Sequence, residues 1–364
     1  MTIIYHIIRV KSIRINAFSI KDSRLNEVIF LASKLDPDYS AVIVSKDGPR
    51  YNITNLMDGV ETDESDGQLA QRVTVSFFNI LNGTKYMNQL IRAMDRLFLY
   101  ANDGDSPKEV FRGYIWEIEY SSELEKILSV TAYDNLIFFQ ESEDSLYFSS
   151  GMATSAVTAS ICQDWGVKQN YTYESITHEE LTLEGALSDI FLSDLLGAVE
   201  KQKGTRFVMR SREDIIDIAP FGANTTVYKL HELDTVTDTR SRTTMDGVVT
   251  KIKILGSTDD SGASNTEAVV TGDTAKYGTI QKIQKKDTDK SLSDAQEEAN
   301  TQIDENGAPK VEFEVNAIDI PWIRKGDKVH VEAGNMVGDF FVTGISRKIR
   351  SDEKMMTLTC VHAG

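Results

Sequence analysis

Apolar and polar residues alternate in short runs along most of the chain, at residues 41–44, 73–77, 95–99, 111–115 and 128–130, and again at 311–315, 327–331, 341–345 and 358–360. A period of two sends successive side chains to opposite faces of a strand, so each run predicts a strand with one buried face. Residues 51–56 extend the pattern after the turn Lys46-Asp-Gly-Pro49, and residues 247–255 carry a further run. Frequent turns between short alternating strands favour barrels or sandwiches.

Near residue 150 the period lengthens to about 3.6. Met152, Ala156, Val157, Ile161 and Trp165 predict one helical face, with Ser149 and Ser150 as its N-cap and Gly166 as its end. Leu187, Ile190, Phe191, Leu195, Ala198 and Val199 predict a second helix over residues 185–203, closed by Gly204. A hairpin around Ser211-Arg-Glu-Asp214 follows, so residues 148–222 read as a small α+β module between β-rich stretches at 41–147 and 223–364. In the last stretch, residues 256–265 read as a long mobile loop, and residues 291–303 as a polar helix with Ser291 and Asp294 as a capping pair. Residues 1–40 form an arm of unassigned role: residues 3–20 suit an extended strand, and Leu25, Val28, Ile29 and Ala32 fall at helical spacing.

Two of the β-rich runs resemble one another. Asp95-Arg-Leu-Phe-Leu99 leads into Phe111-Arg-Gly-Tyr-Ile115 and returns as Leu128-Ser-Val130; Asp327-Lys-Val-His-Val331 leads into Phe341-Val-Thr-Gly-Ile345 and returns as Leu358-Thr-Cys360. Phe111 and Phe341, Ile115 and Ile345, Leu128 and Leu358, and Val130 and Cys360 stand a constant 230 residues apart, and Asp95 and Asp327 stand 232 apart. The chain therefore reads as carrying one β-unit twice.

At 364 residues the chain has room for two or three cores. Its formal charge of −17 comes without any Lys/Arg-rich block, the reverse of a dedicated nucleic-acid binder. Cys162 and Cys360 both sit on apolar faces and read as small buried hydrophobes. The chain has no run of 18 apolar residues, and its first basic residues follow the apolar opening, so neither a membrane anchor nor a signal peptide is expected.

Sites of chemistry are sparse. Asp63, Glu64 and Asp66 are oxygen donors in the stretch 61–67, but their spacing fits no EF-hand and reads as a solvated acidic loop. No histidine pairs with cysteine or carboxylate at a metal-ligand spacing; His178 reads as solvated at a helix approach. Phosphate-binding glycine motifs and a nucleophile elbow are absent. Glu117 and Glu119 share a strand face expected to meet water, and Trp116 and Trp322 are expected to pack. No catalytic, cofactor-binding or metal residues are expected.

Lys46-Asp-Gly with Tyr51-Asn-Ile-Thr, the Phe111–Ile115 strand leading to Ser129-Val-Thr-Ala-Tyr-Asp-Asn-Leu136, and the Ile323-Arg-Lys-Gly-Asp327 entry resemble the baseplate hub proteins of contractile phage tails and phage-tail-like bacteriocins. The resemblance is to XkdQ-like hubs and, more distantly, to the late control protein D family, over about residues 41–364. It implies a mainly β, α+β fold with two tail-tube-like β-barrel domains, duplicated about Asp95, Phe111, Ile115, Leu128 and Val130 and about Asp327, Phe341, Ile345, Leu358 and Cys360. It also implies a homotrimeric, pseudo-sixfold ring that adapts a hexameric tail tube to a trimeric central spike. Wedge and LysM-type proteins are the further partners it suggests, in a baseplate assembled in the host cytoplasm. DNA would cross the channel without specific binding. A cell-wall-degrading tail enzyme and a carbohydrate-binding adhesion protein are the alternative readings.

Overall fold

The computed structural model describes residues 28–31, 36–121, 126–172, 174–258, 264–286 and 291–363. The fold is α+β and mainly β, as the alternation predicts. Its centre is a 14-stranded sheet. In chain order the strands are β1 (Val28–Leu31), β2 (Asp38–Val44), β3 (Arg50–Asn52), β4 (Met57–Glu64), β5 (Arg72–Phe78), β6 (Arg96–Asn102), β7 (Lys108–Ser121) and β8 (Ile127–Tyr133). Then come β9 (Thr226–His231), β10 (Val236–Thr244), β11 (Lys310–Ile318), β12 (Lys328–Ala333), β13 (Met336–Arg350) and β14 (Lys354–His362).

Pairing runs β1-β9-β12-β13-β4-β5-β8-β7-β6-β2-β3, and a branch leaves β13 through β14 and β11 to β10. This corrects the expectation of two barrels. Among the described residues the path does not close on itself, and the two arms share one sheet, because β13 reaches past β12 to pair antiparallel with β4 from Ile345↔Glu64 to Arg350↔Gly59. A 15-residue strand is long enough to serve both neighbours.

The two arms repeat a strand order. The first reads β4-β5-β8-β7-β6-β2 and the second β10-β11-β14-β13-β12-β9. Matching hydrogen bonds set their register: Met94 N–H donates to Ile115 O and Ile115 N–H to Asp95 O, as Gly326 N–H donates to Val342 O and Val342 N–H to Asp327 O. Met94 and Gly326 both take positive φ, 70° and 91°. Each arm then has a one-residue bulge, after Ile115 opposite Ala132 and after Val342 opposite Cys360. These bonds correct the constant offset. Ile115 matches Val342 rather than Ile345, Ile118 matches Ile345, Val130 matches Leu358, and Ala132 matches Cys360.

The chain divides into two compact units, Met1–Thr239 with Glu314–Gly364, and Arg240–Phe313. In the first, the inner face of β2, β4–β8 and the end of β13 is a core of Val73, Val75, Phe77, Leu97, Ile115, Val130 and Ile349, among others. A second core gathers the helix Thr154–Asp164 and the helical run from Leu187 to Lys203, whose middle turn Ile190–Leu196 is π-wound, around Leu136, Ile137 and Phe139. Gly204 closes that run at φ 70°. The helix Thr154–Asp164 starts after Ala153, which makes no side-chain cap bond, rather than at Ser149 or Ser150. In the other unit, Ile252 and Ile254 pack against Ala295, Ala299 and Ile303 of the helix Leu292–Asn306, whose start carries the Ser291/Asp294 capping box.

Other expectations are corrected. Val28–Leu31 is a strand parallel to β9, not a helix turn, and residues 3–20 lie outside the described residues. Residues 54–56 form a 3-10 turn. Of the loop expected at 256–265, residues 256–258 and 264–265 lie in the paired strands Lys251–Thr258 and Ser264–Thr271, and residues 259–263 lie outside the described set. His178 is buried, with Nε2 2.7 Å from Thr154 Oγ1, and burial lowers its pKa. The stretch 61–67 is not a solvated loop: Glu61–Glu64 end β4, and Glu64 is only 3% exposed.

Candidate functional site

Glu64 is buried because the turn Ile323-Arg-Lys-Gly-Asp327, far along the chain, folds onto it where β13 joins β4. Arg324 Nε donates to Glu64 Oε1 at 2.6 Å, and Lys325 Nζ donates to the backbone oxygens of Ser65 and Gln68 at 3.0 and 2.5 Å. Burial pushes the Glu64 carboxyl up, but Arg324, with Arg347 and Lys325 behind it, outweighs burial and leaves its pKa lowered. Lys325 is shifted down by its own burial. A second buried group lies on the same seam: Arg347 Nε donates to Asp319 Oδ1 at 2.9 Å, and Tyr39 O–H donates to Asp319 Oδ2 at 2.5 Å. Arg347 also donates to the carbonyls of Ile320 and Ile323, so its guanidinium is held on several sides. Burial raises the Asp319 carboxyl despite Arg347, and burial with the facing Asp319 raises the Tyr39 hydroxyl.

The turn carrying Arg324 has a counterpart in the first arm. Asp327 Oδ2 accepts from Arg324 N–H at 2.9 Å, and Asp95 Oδ2 accepts from Arg92 N–H at 2.9 Å, three residues back in each case. A carboxylate that ties its own turn this way fixes where the following strand begins. The strand pair Phe207–Arg212 and Ile215–Pro220 then bonds both turns to the helical part. Arg210 reaches Asp327 Oδ1 at 2.7 Å, and Asp214 receives Arg96 at 2.7 Å and Arg112 at 3.4 Å. Arg112 is also gripped by Glu109 at 2.6 and 2.8 Å.

Between these groups lies a cavity of about 280 Å³ lined in part by Trp322, Arg112, Arg324, Ser211 and Asp134. Asp134 Oδ1 accepts from Leu136 N–H at 3.0 Å, while Oδ2 has no partner. Burial pushes the Asp134 carboxyl up to about 7, against the opposing pull of Arg324. Trp322 sits under Lys108 Nζ at 5.0 Å, and Trp116 meets Tyr133 and Phe138 edge-on while staying half exposed.

The other face of the sheet is polar across both arms. Register sets Glu117, Thr131, Thr74, Glu61, Lys348 and Met355 in one row across five strand junctions. Glu119, Ser129, Ser76, Gly59 and Arg350 form the next. Hydroxyls join within them, Thr74 to Thr131 at 2.9 Å and Ser76 to Ser129 at 2.7 Å. Glu117 and Glu119 are exposed here. Cys162 and Cys360 are buried free thiols, each pushed up to about 12 by burial. Among the described residues no cluster of His, Cys, Asp or Glu is set to hold a metal ion, and no helix is long and apolar enough to cross a membrane.

The sequence reading reached the two aspartates of the repeated turns and quoted Arg324 and Lys325 within the Ile323–Asp327 entry without their buried partners, and it did not reach Arg347 or Asp319. The signal available was the pair Arg92-x-x-Asp95 and Arg324-x-x-Asp327 at equal spacing.

A model of the YQBQ-like family matches residues 78–361. The fold is similar to that of the 43 kDa tail protein of prophage MuSo2 from Shewanella oneidensis, at TM-score 0.62 and 14% identity over 89% of this chain and 98% of that one. It is similar to a tail protein from Neisseria meningitidis MC58 at TM-score 0.62 and 12% identity, over 90% and 97% of the two chains. A chain of the Francisella PdpA-VgrG complex matches at TM-score 0.54 and 8% identity, over 91% of this chain and 58% of that one. No curated protein matches the sequence.

Proposed function

The chain belongs to the YQBQ-like family, and from that premise we propose that it is a baseplate hub: three copies form a ring with pseudo-sixfold symmetry that joins a hexameric tail tube to a trimeric spike. The carrying observation is the shared sheet. Two arms with the same strand order sit side by side through the β13·β4 junction, so one chain supplies two successive, near-equivalent sixths of a ring. We take the arms as one building block duplicated within the gene, which gives a trimer a six-sided end. The fold shared with prophage tail proteins supports the placement in a tail.

The polar face is the channel wall in this reading. Its rows hold Glu61, Glu117 and Glu119 beside Lys348 and Arg350, with hydroxyls between. The chain's acidic excess is thus not concentrated there, and the wall resists sticking through mixed charge and hydroxyls rather than through repulsion alone. The buried seam holds adjacent sixths at a fixed angle while the tail transmits force. The helical part, outside the duplicated arms, is left to carry wedge and LysM-type neighbours.

Mass photometry and negative-stain images of the purified protein, alone and with a trimeric spike partner, test this. A species of three chains with a central hole is expected; monomers alone under both conditions would remove the ring.

A further inference from the structure

We propose that the open face of the small sheet in the unit Arg240–Phe313 is a docking surface for an acidic amphipathic helix of another protein. The inference goes beyond the hub reading and does not depend on it.

The sheet has three strands in the order Ser264–Thr271, Lys251–Thr258, Gln281–Lys285, the first pair antiparallel and the second parallel. Alternation sends Ile252 and Ile254 to one face, where they pack with Ala268 and Val270 against the helix Leu292–Asn306. The opposite face therefore receives Lys251, Lys253 and Leu255 from the middle strand. Register sets Val269 on one side of Lys253 and Ile283 on the other, and Lys285 beside Leu255. Ile283 is 62% exposed and Val269 47%, so the described residues leave this row open. Parallel strands ordinarily carry helices on both faces of their sheet, and here only one face has its helix.

Charge says what the missing layer is made of. In a chain of formal charge −17, Lys251, Lys253 and Lys285 converge on this one face, and none of them makes an ion pair among the described residues. The single acidic residue of the three strands, Glu267, is turned away: its carboxylate lies over Gly256, on the face of Ile252 and Ile254, and reaches Lys286 at 3.7 Å. The open face is thus basic with an aliphatic centre, and what fits it brings carboxylates on either side of an apolar stripe. Three strands spaced roughly 4.8 Å apart present a strip about 10 Å wide, the width of one helix. The chain's own helix Leu292–Asn306 is acidic, but its apolar residues Ala295, Ala299 and Ile303 are spent on its own sheet, so a second copy has no stripe to offer. The strands of this sheet hold neither an aromatic ring on which bases could stack nor an arginine fork for phosphates.

The test uses the whole chain and a fluorescein-labelled peptide of about 15 residues, with leucines at helical spacing, glutamates beside them and alanines elsewhere. Read by fluorescence anisotropy, the wild type should bind this peptide and not its counterpart with lysine in place of glutamate, and added salt should weaken the complex. Lys251→Ala, Lys253→Ala and Lys285→Ala together should weaken binding roughly tenfold, because each exposed ion pair is individually small. Ile283→Asn, which leaves the charge unchanged, should weaken it by a similar factor. Both variants alter side chains on an open face, and an unchanged urea midpoint checks that they fold. No binding of the glutamate peptide, or binding that neither variant weakens, overturns the proposal. A single-stranded oligonucleotide or vesicles of anionic phospholipid that bind more tightly than the peptide through the same lysines overturn the protein partner. Self-association of the wild type that the triple variant loses assigns the face to a second copy and overturns it as well.

Discussion

Arg324→Ala isolates the seam between the two arms. Its Nε is 2.6 Å from the Glu64 carboxylate, which is 3% exposed, and Asp134 and Asp327 feel the same charge. Removing the guanidinium leaves Glu64 buried with only Lys325 and Arg347 near it, and Lys325 Nζ is already committed to two carbonyls. Breaking a buried pair from one side costs about 3–5 kcal/mol, most of it the stranded charge. For a unit of this size that lowers the melting temperature by roughly 10 °C. The loss should depend on pH. In the wild type the Glu64 pKa is lowered, so the pair's contribution is present above the ordinary carboxylate range and fades only as pH falls through the lowered value. In the variant, burial is opposed by less and the Glu64 pKa rises, so the deficit is full at pH 7 and shrinks as acid neutralises the stranded carboxylate. Urea unfolding followed by tryptophan emission at pH 7.5 and pH 5 reads both. Replacing the pair together, Glu64→Leu with Arg324→Met, should cost far less than Arg324→Ala, because no charge is left behind. A deficit under about 1 kcal/mol, or one equal at both pH values, would show that the pair does not hold the arms.

Asp134→Asn should act in the opposite sense. A carboxyl pushed up to about 7 binds its proton more tightly folded than unfolded, so the wild type loses stability as pH rises from the ordinary carboxylate range to about 7. The amide variant should therefore be more stable at pH 8, by up to about 4 kcal/mol, and near wild type at pH 4; equal differences at both would refute it. Gly113→Ala should destabilise β7 and β8 by about 2–3 kcal/mol, since its Cβ would overlap the Tyr133 carbonyl and the Phe111 ring, read as a lower denaturation midpoint with wild-type slope. Cys162 and Cys360 should resist a thiol reagent at pH 8 until denaturant is added, then react as two; labelling in the native protein would mean that a core opens.

Local rules carried the sequence reading a long way. Gly166 and Gly204 end their helices at positive φ, Ser291 and Asp294 form the expected cap, and the strand pair around Ser211-Arg-Glu-Asp214 turns there through Glu213 and Asp214. What failed were features decided by distant partners. Glu64 looked solvated because its neighbours in sequence are acidic, yet the residue that buries it is Arg324. His178 looked free because Thr154, its bond partner, is 24 residues away. Two barrels were expected from the family resemblance, and alternation could not correct that, because it describes a strand and its faces, not which strand it joins. Only the length of β13 hinted that one strand would serve both arms of one sheet.

The repeat shows why the offset slipped. Sliding one strand past another by two residues keeps every apolar side chain on its face, so Leu358 fits opposite Leu128 or Val130 equally well by pattern. The bulge after Ile115 and after Val342 then shifts the phase by one, which no alternation count can detect. The hydrogen bonds of the aspartate turns remove the ambiguity, because Asp95 and Asp327 fix the starts of β6 and β12 independently of the apolar pattern. With that register, the arms differ in two physical respects. Residues 65–71 join β4 to β5, whereas residues 245–309 join β10 to β11, so most of the smaller unit sits at the site of a short loop. And β2 runs antiparallel to β6 while β9 runs parallel to β12, because the chain enters β9 from the helical part rather than from the neighbouring strand.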